Sequence, residues 1–330
     1  MFRGTQPVCF GLPLLLFVTL HAQEKVDSSR HTVQRVSVEQ GVSLEVLDWG
    51  GTGRPLVLLT GMADNAHTFD DFAPKLTGNY HVYGITRRGR GISSYPEAKA
   101  ANYSASRLGE DVLTVIDTLH LNKPVLAGHS IAGEELSYIG SHHPEKVAGL
   151  IYMDAGYPYA LYRASGVLQL DAIELRKQLY QFMTGYRMEP VQDYEGLIAN
   201  LERVEKEVKE QQQETQGLPP TPVSPRMTPE FFAMMEAEER FTTIHAPALV
   251  IVADEDVSSA SGDDPQSRAN AVRQALQRRD KEQQVAAFAQ QVPSAHVVRI
   301  PHANHYVYRS NEVEVLREIN TFISLLSLAN

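Results

Sequence analysis

The 330-residue chain is 43% hydrophobic and 21% charged, the balance of a globular protein large enough for one α/β unit with an insertion. Its formal net charge of -10 argues against nucleic acid or an anionic membrane surface as the main partner, because both need a basic face. The only cysteine, Cys9, lies near the N-terminus, so the chain beyond it has no disulfide, no thiol nucleophile and no thiolate metal site.

Arg3 precedes an apolar stretch over residues 8–20, followed by His21-Ala22-Gln23 and the charged run Glu24-Lys25-Val26-Asp27. A basic start, a short apolar centre and a small residue at the end predict a secretory signal peptide over residues 1–22, with Ala22 the last residue removed. The expected location is therefore secreted or periplasmic; an uncleaved interfacial anchor is the alternative. The stretch is shorter than the roughly 20 residues of a membrane-spanning helix, so no stable membrane insertion is expected after removal.

Residues 33–38 and 42–49 nearly alternate apolar and polar, with Glu39-Gln40-Gly41 between them, which predicts an antiparallel hairpin at a sheet edge. Residues 50–55 are a loop by composition. Six short apolar runs follow, at 56–59, 81–85, 125–127, 149–153, 248–253 and 297–300, the pattern of parallel strands buried on both faces. Helical patterns cover 69–76, 104–119, 131–142, 264–290 and 312–326. This alternation predicts an α/β fold, a doubly wound and mostly parallel sheet made mixed by the leading hairpin.

Between residues 157 and 243 the alternation breaks and no strand is apparent. Residues 193–213 form an amphipathic helix with Leu197, Leu201, Val204 and Val208 on one stripe. A proline-rich run over 217–229 leads to a short helix with Thr228 as N-cap and Pro229 in its first turn. The expected organisation is a core over 23–156 and 244–330, with 157–243 inserted as a helical cap over the carboxyl ends of the strands.

The run Gly128-His129-Ser130-Ile131-Ala132-Gly133 has the form of a nucleophile elbow, G-x-S-x-A/G, between a short apolar strand and a helix. Such a turn holds the serine in a strained conformation, with small neighbours because other backbone passes close by. It also sets the hydroxyl at a helix N-terminus, where free N–H groups favour developing negative charge. A serine needs a neutral imidazole to take its proton and a carboxylate to orient that imidazole. Polar residues just after the later strands supply candidates in the required order: Asp254-Glu255-Asp256 after 248–253, and Pro301-His302-Ala303-Asn304-His305 after 297–300. The oxyanion donors are expected to be the N–H groups of Ile131 and of Met62, in the loop Thr60-Gly61-Met62-Ala63-Asp64.

These motifs, in this order, resemble the α/β-hydrolase fold, in its capped branch of esterases, lactonases and C–C bond hydrolases. Leu59-Thr60-Gly61-Met62 is similar to the oxyanion loop, and Thr86-Arg87-Arg88-Gly89-Arg90-Gly91-Ile92-Ser93 to the turn D-x-R-G-x-G-x-S. The elbow, the connection His142-His143-Pro144-Glu145-Lys146-Val147, the acid turn at 253–256 and the histidine turn at 300–305 follow. The resemblance implies a triad of Ser130, His305 and Asp256, with Asp254 the rival acid and His302 the rival base. The chain departs from the pattern at Thr60, where the family usually has His, and at Thr86, where it usually has Asp.

The expected function is a serine hydrolase cleaving a small to medium carboxylic ester or lactone through an acyl-enzyme, with a small molecule as partner and no metal or organic cofactor. The same triad serves C–C bond cleavage, amide hydrolysis or acyl transfer, and an α/β-hydrolase-like binding protein is the alternative of another class. His129 is expected to pack or hydrogen-bond rather than act as a base. Glu134-Glu135 read either as a second carboxylate function or, more plainly, as partners of Arg87 or Arg88. Phe231, Phe232, Met234 and Met235, with Tyr157, Tyr159, Tyr162, Phe182 and Met183, are candidates for a pocket or simply for core. Asp64 and His67 either face the pocket or serve the turn.

Overall fold

The computed structural model describes residues 29–156, 160–161, 168–185, 194–219, 228–237, 239–255 and 264–328. The candidate signal peptide, Asp256, Tyr157, Tyr159 and Tyr162 lie outside the described residues. Among those described, no helix is long and apolar enough to cross a membrane.

Eight strands form one sheet: β1 (Thr32–Glu39), β2 (Val42–Gly50), β3 (Arg54–Leu59), β4 (Tyr80–Thr86), β5 (Val125–His129), β6 (Gly149–Met153), β7 (Ala248–Asp254) and β8 (Ala295–Pro301). Their order is β1-β2-β4-β3-β5-β6-β7-β8. β1 pairs with β2, and β2 with β4, antiparallel; every other pairing is parallel. The helices are α1 (Ala100–Tyr103), α2 (Ala105–Thr118), α3 (Gly133–His142), α4 (Leu168–Gly185), α5 (Tyr194–Thr215), α6 (Pro229–Glu236), α7 (Pro265–Gln291), α8 (Val307–Ser310) and α9 (Glu312–Leu328). This is the α/β-hydrolase fold.

Strand side chains alternate between faces, and the core divides accordingly. From β3, Val57 and Leu59 join one apolar layer with residues of α2 and α3, while Leu56 and Leu58 join the other with Phe69, Phe72 and residues of α9. The patterns are continuous rather than alternating because helices cover both faces.

One expected helix, over 69–76, is instead two 3-10 turns, Ala66–Phe69 and Ala73–Lys75. Pro74 has no N–H to give to the carbonyl four residues back and its ring crowds that carbonyl, so an α-helix cannot run through it. Thr228 caps α6 as the sequence predicts, and Ser104 and Asp264 likewise cap α2 and α7 with a side-chain oxygen. Between β6 and β7 the described elements are all helical, α4 packing on α5, and α6 packing on α1.

The chain passes from β3 to β4 on one side and returns to β5 on the other side of β3. The sheet's winding direction changes there, which opens a crevice at the carboxyl ends of the strands. Leu59 pairs with Gly128, and His129 with Met153, so the residues following β3, β5 and β6 emerge side by side at that crevice.

Candidate active site

Ser130 follows β5 with φ of 55°, in the left-handed region that a non-glycine residue seldom adopts. It opens the 3-10 turn Ser130–Ala132, which runs into α3. The glycine at 133 answers a close approach: a Cβ there would stand 2.2 Å from the carbonyl oxygen of Ala155. The strand-to-helix turn and the end of β6 are therefore pressed together.

Ser130 Oγ lies 3.0 Å from His305 Nε2, and His305 Nδ1 lies 2.8 Å from Asp154 Oδ2. The imidazole is one-third exposed, whereas the Asp154 carboxylate is almost wholly buried. The other oxygen, Oδ1, accepts the Ala253 N–H at 3.0 Å and meets Lys281 Nζ at 2.9 Å. Burial alone raises the Asp154 carboxyl, but the His305 hydrogen bond, the Lys281 charge and hydrogen bond and the Ala253 N–H outweigh it. The carboxyl is held below its ordinary range. An ionised carboxylate only accepts, so Nδ1 carries the proton and Nε2 is free to receive one from Ser130.

Ser130 and His305 are thus brought together as the sequence predicts, and among the described residues the carboxylate at His305 is that of Asp154, which the sequence reading did not single out. Asp256 lies outside the described residues. The rival Asp254 ends β7 three residues further along its strand than Ile251, the partner of Met153, and pairs with Arg299 at 2.9 Å. Its side chain is 40% exposed. Asp154 directly follows the wholly apolar Gly149–Met153 strand, the position that gave the other candidates, so the signal was present one strand earlier than it was sought. His302 is exposed in its turn, with φ of 55°.

His129 is buried, and its Nε2 lies 2.9 Å from the His305 carbonyl oxygen. Burial first, and the His305 charge second, push its imidazole down to about 3, so it is neutral and Nε2–H is the donor. Its Nδ1 accepts nothing and faces Gly61, where a Cβ would stand 2.9 Å away. His129 therefore packs and hydrogen-bonds, holding the histidine turn to the elbow.

Arg87 shapes the loop after β3. Its guanidinium donates to the carbonyls of Thr60 at 2.9 Å and Gly61 at 3.2 Å, and is fixed by Glu135 at 2.7 Å. In a trans peptide the N–H points opposite to the C=O, so gripping the Gly61 carbonyl turns the Met62 N–H away from Arg87. Arg90 Nε donates to the Met62 carbonyl at 2.5 Å, and Met62 packs beside Tyr103, Leu108, Ala233 and Met234. Arg88 is fully buried and bound to both oxygens of Asp111, at 2.7 and 2.6 Å. Glu135 is thus an arginine partner, and Glu134 is fully buried beside it.

Thr86, where the resemblance leads to an expected aspartate, donates its hydroxyl to Glu45 at 2.5 Å and accepts the Ala66 N–H at 2.9 Å. The Thr60 hydroxyl is buried without a hydrogen-bond partner. His67 belongs to the turn, 3.0 Å from Asp70. Of the candidate pocket residues, Met234 is core, while Phe232 and Met183 are exposed. No group of three or more His, Cys, Asp or Glu among the described residues is arranged to hold a metal ion.

Residues 56–318 match the family described as "Alpha/beta hydrolase family". A "Serine hydrolase-like protein" of Danio rerio is 30% identical over 107 residues, 32% of each chain. A "Fluoroacetate dehalogenase" of Burkholderia sp is 32% identical over 115 residues, 34% of this chain and 38% of that one. The matched stretches span about a third to two-fifths of these curated relatives. A Bacillus megaterium epoxide hydrolase structure is similar with a TM-score of 0.55 and 19% identity, over 88% of this chain and 100% of the other. With the family match running from β3 into α9, the chain belongs to the alpha/beta hydrolase family.

Proposed function

We propose that the chain is a serine hydrolase acting on a small to medium carboxylic ester or lactone. The observation that carries this reading is the unbroken line from Ser130 Oγ to His305 Nε2 at 3.0 Å and from His305 Nδ1 to Asp154 Oδ2 at 2.8 Å. Ser130 attacks the carbonyl carbon as its proton passes to His305 Nε2. Asp154 stays ionised and stabilises the imidazolium. The N–H groups of Met62 and Ile131 hold the oxyanion. Collapse of the tetrahedral intermediate sends the Nε2 proton to the departing alkoxide and leaves an acyl-enzyme, which water opens by the same steps in reverse roles. Residues 157–243 act as the cap that selects the substrate, and residues 1–22 as a secretory leader, which N-terminal sequencing of secreted protein beginning at Gln23 would support.

The purified protein is expected to hydrolyse a short-chain p-nitrophenyl ester and to be labelled by a fluorophosphonate, with both lost in Ser130→Ala. Labelling that persists in that variant overturns the assignment. A panel of esters, lactones, amides and diketones then separates ester hydrolysis from the other reactions open to the same triad.

A further inference from the structure

Helix α7 spans 27 residues between β7 and β8, and it turns one lysine inward. Lys281 Nζ lies 2.9 Å from Asp154 Oδ1 and 2.5 Å from the Ala253 carbonyl oxygen, with its side chain only 20% exposed. We infer that Lys281 is a positioning residue of the site, an ammonium that holds the orienting carboxylate in place and sets the acid limb of the reaction's pH profile. The inference rests on the triad reading given above.

The geometry divides the carboxylate between two tasks. Oδ1 is taken by Ala253 N–H and Lys281, which leaves Oδ2 directed at His305 Nδ1. A carboxylate in so dry a place is otherwise inclined to take up a proton, and a protonated acid cannot stabilise an imidazolium. The lysine opposes that protonation. It also sets a second positive charge beside the carboxylate that would receive the imidazolium, so two cations share one carboxylate.

Among the described residues, the other basic groups near the pair are engaged elsewhere or neutral. His129 stays neutral; Arg299 lies between Asp254 and Glu282, at 2.9 Å from each; Arg309 donates to Thr68. Lys281 is the cation in contact with Asp154 among the ion pairs of the described residues.

The test is the pH dependence of kcat/KM for a p-nitrophenyl ester in Lys281→Gln, which removes the charge and leaves a shorter amide donor. The acid limb is expected to move to higher pH by about half a unit to one unit, and Lys281→Arg to restore it. An unmoved limb in Lys281→Gln, or a displaced one in Lys281→Arg, overturns the role. Should Lys281→Gln fail to fold, Lys281→Met is measured by the same criterion. The far-downfield proton resonance of the His305 Nδ1–H, followed by NMR against pH, reads the same displacement without turnover. It keeps the lysine's role separate from the reading beneath it: turnover surviving in Ser130→Ala overturns that reading alone, and an unmoved resonance in Lys281→Gln overturns this one.

Discussion

At the scale of single residues, two carboxylates at neighbouring strand ends have opposite surroundings. Asp154 is buried, accepts the Ala253 N–H and is held by His305 and Lys281; Asp254 is 40% exposed and paired with Arg299. The difference predicts a divided outcome. Asp154→Asn leaves the imidazole with the wrong tautomer and is expected to lower kcat by about 10³–10⁴-fold. Asp254→Asn breaks only a surface pair, worth about 1 kcal/mol or less, and is expected to leave kcat within about twofold. Steady-state kinetics on one ester decide it, and equal losses in the two variants would remove Asp154 from the mechanism. The sequence drew attention to the turn after β7 because its acidic cluster is conspicuous, while Asp154 is a lone acid after a strand. What distinguishes them is burial and a pairing four strands wide, neither of which is local to the chain.

At the scale of elements, the inner strands were legible because burial on both faces leaves uninterrupted apolar runs, and the leading hairpin because its residues nearly alternate; all eight strands lie where the sequence predicts them. The start of α6 was legible for a local reason, the Thr228 side-chain oxygen that caps a free N–H group. Helix α4 was not, since its polar and apolar residues interleave without a strong stripe and the packing on α5 that supports it is not local to the chain. The elbow is legible as a motif, but the reason for its last glycine lies in another element: Gly133 faces the Ala155 carbonyl beside Asp154. Gly133→Ala puts a Cβ 2.2 Å from that backbone oxygen, and no flexible side chain can give way. The variant is expected to lose about 1–3 kcal/mol or more of stability by urea denaturation, and to lose kcat beyond that, because the displaced segment carries Asp154. A stability unchanged from the parent protein would show that β6 and α3 are not pressed together as described.

At the scale of the whole molecule, the site makes the fold sensitive to acid, and His129 carries much of that sensitivity. In the unfolded chain an imidazole takes its proton near pH 6.5, whereas in the fold His129 does so only at about 3. Above about pH 6.5 both states are neutral and the group is silent. As the pH falls below that value the unfolded chain gains a proton that the fold refuses, and stability declines by about 1.4 kcal/mol per unit until about pH 3. Asp154 acts in the same direction over a lower range. Its depressed carboxyl contributes stability above the ordinary aspartate value near 4, and that contribution is lost as the pH falls through its lower folded value. His129→Phe keeps the ring and removes the titration together with the Nε2–H bond to the His305 carbonyl. At pH 8 the variant is expected to be less stable by about 1 kcal/mol, the worth of one buried hydrogen bond. Between pH 6.5 and 4 its stability is expected to fall less steeply than the parent's, so that the two curves converge and then cross. Urea midpoints measured across pH 4–8 decide the matter: parallel curves would mean that His129 is free to take its proton inside the fold, and that the packing of its ring against Gly61 and the histidine turn does not exclude the charge.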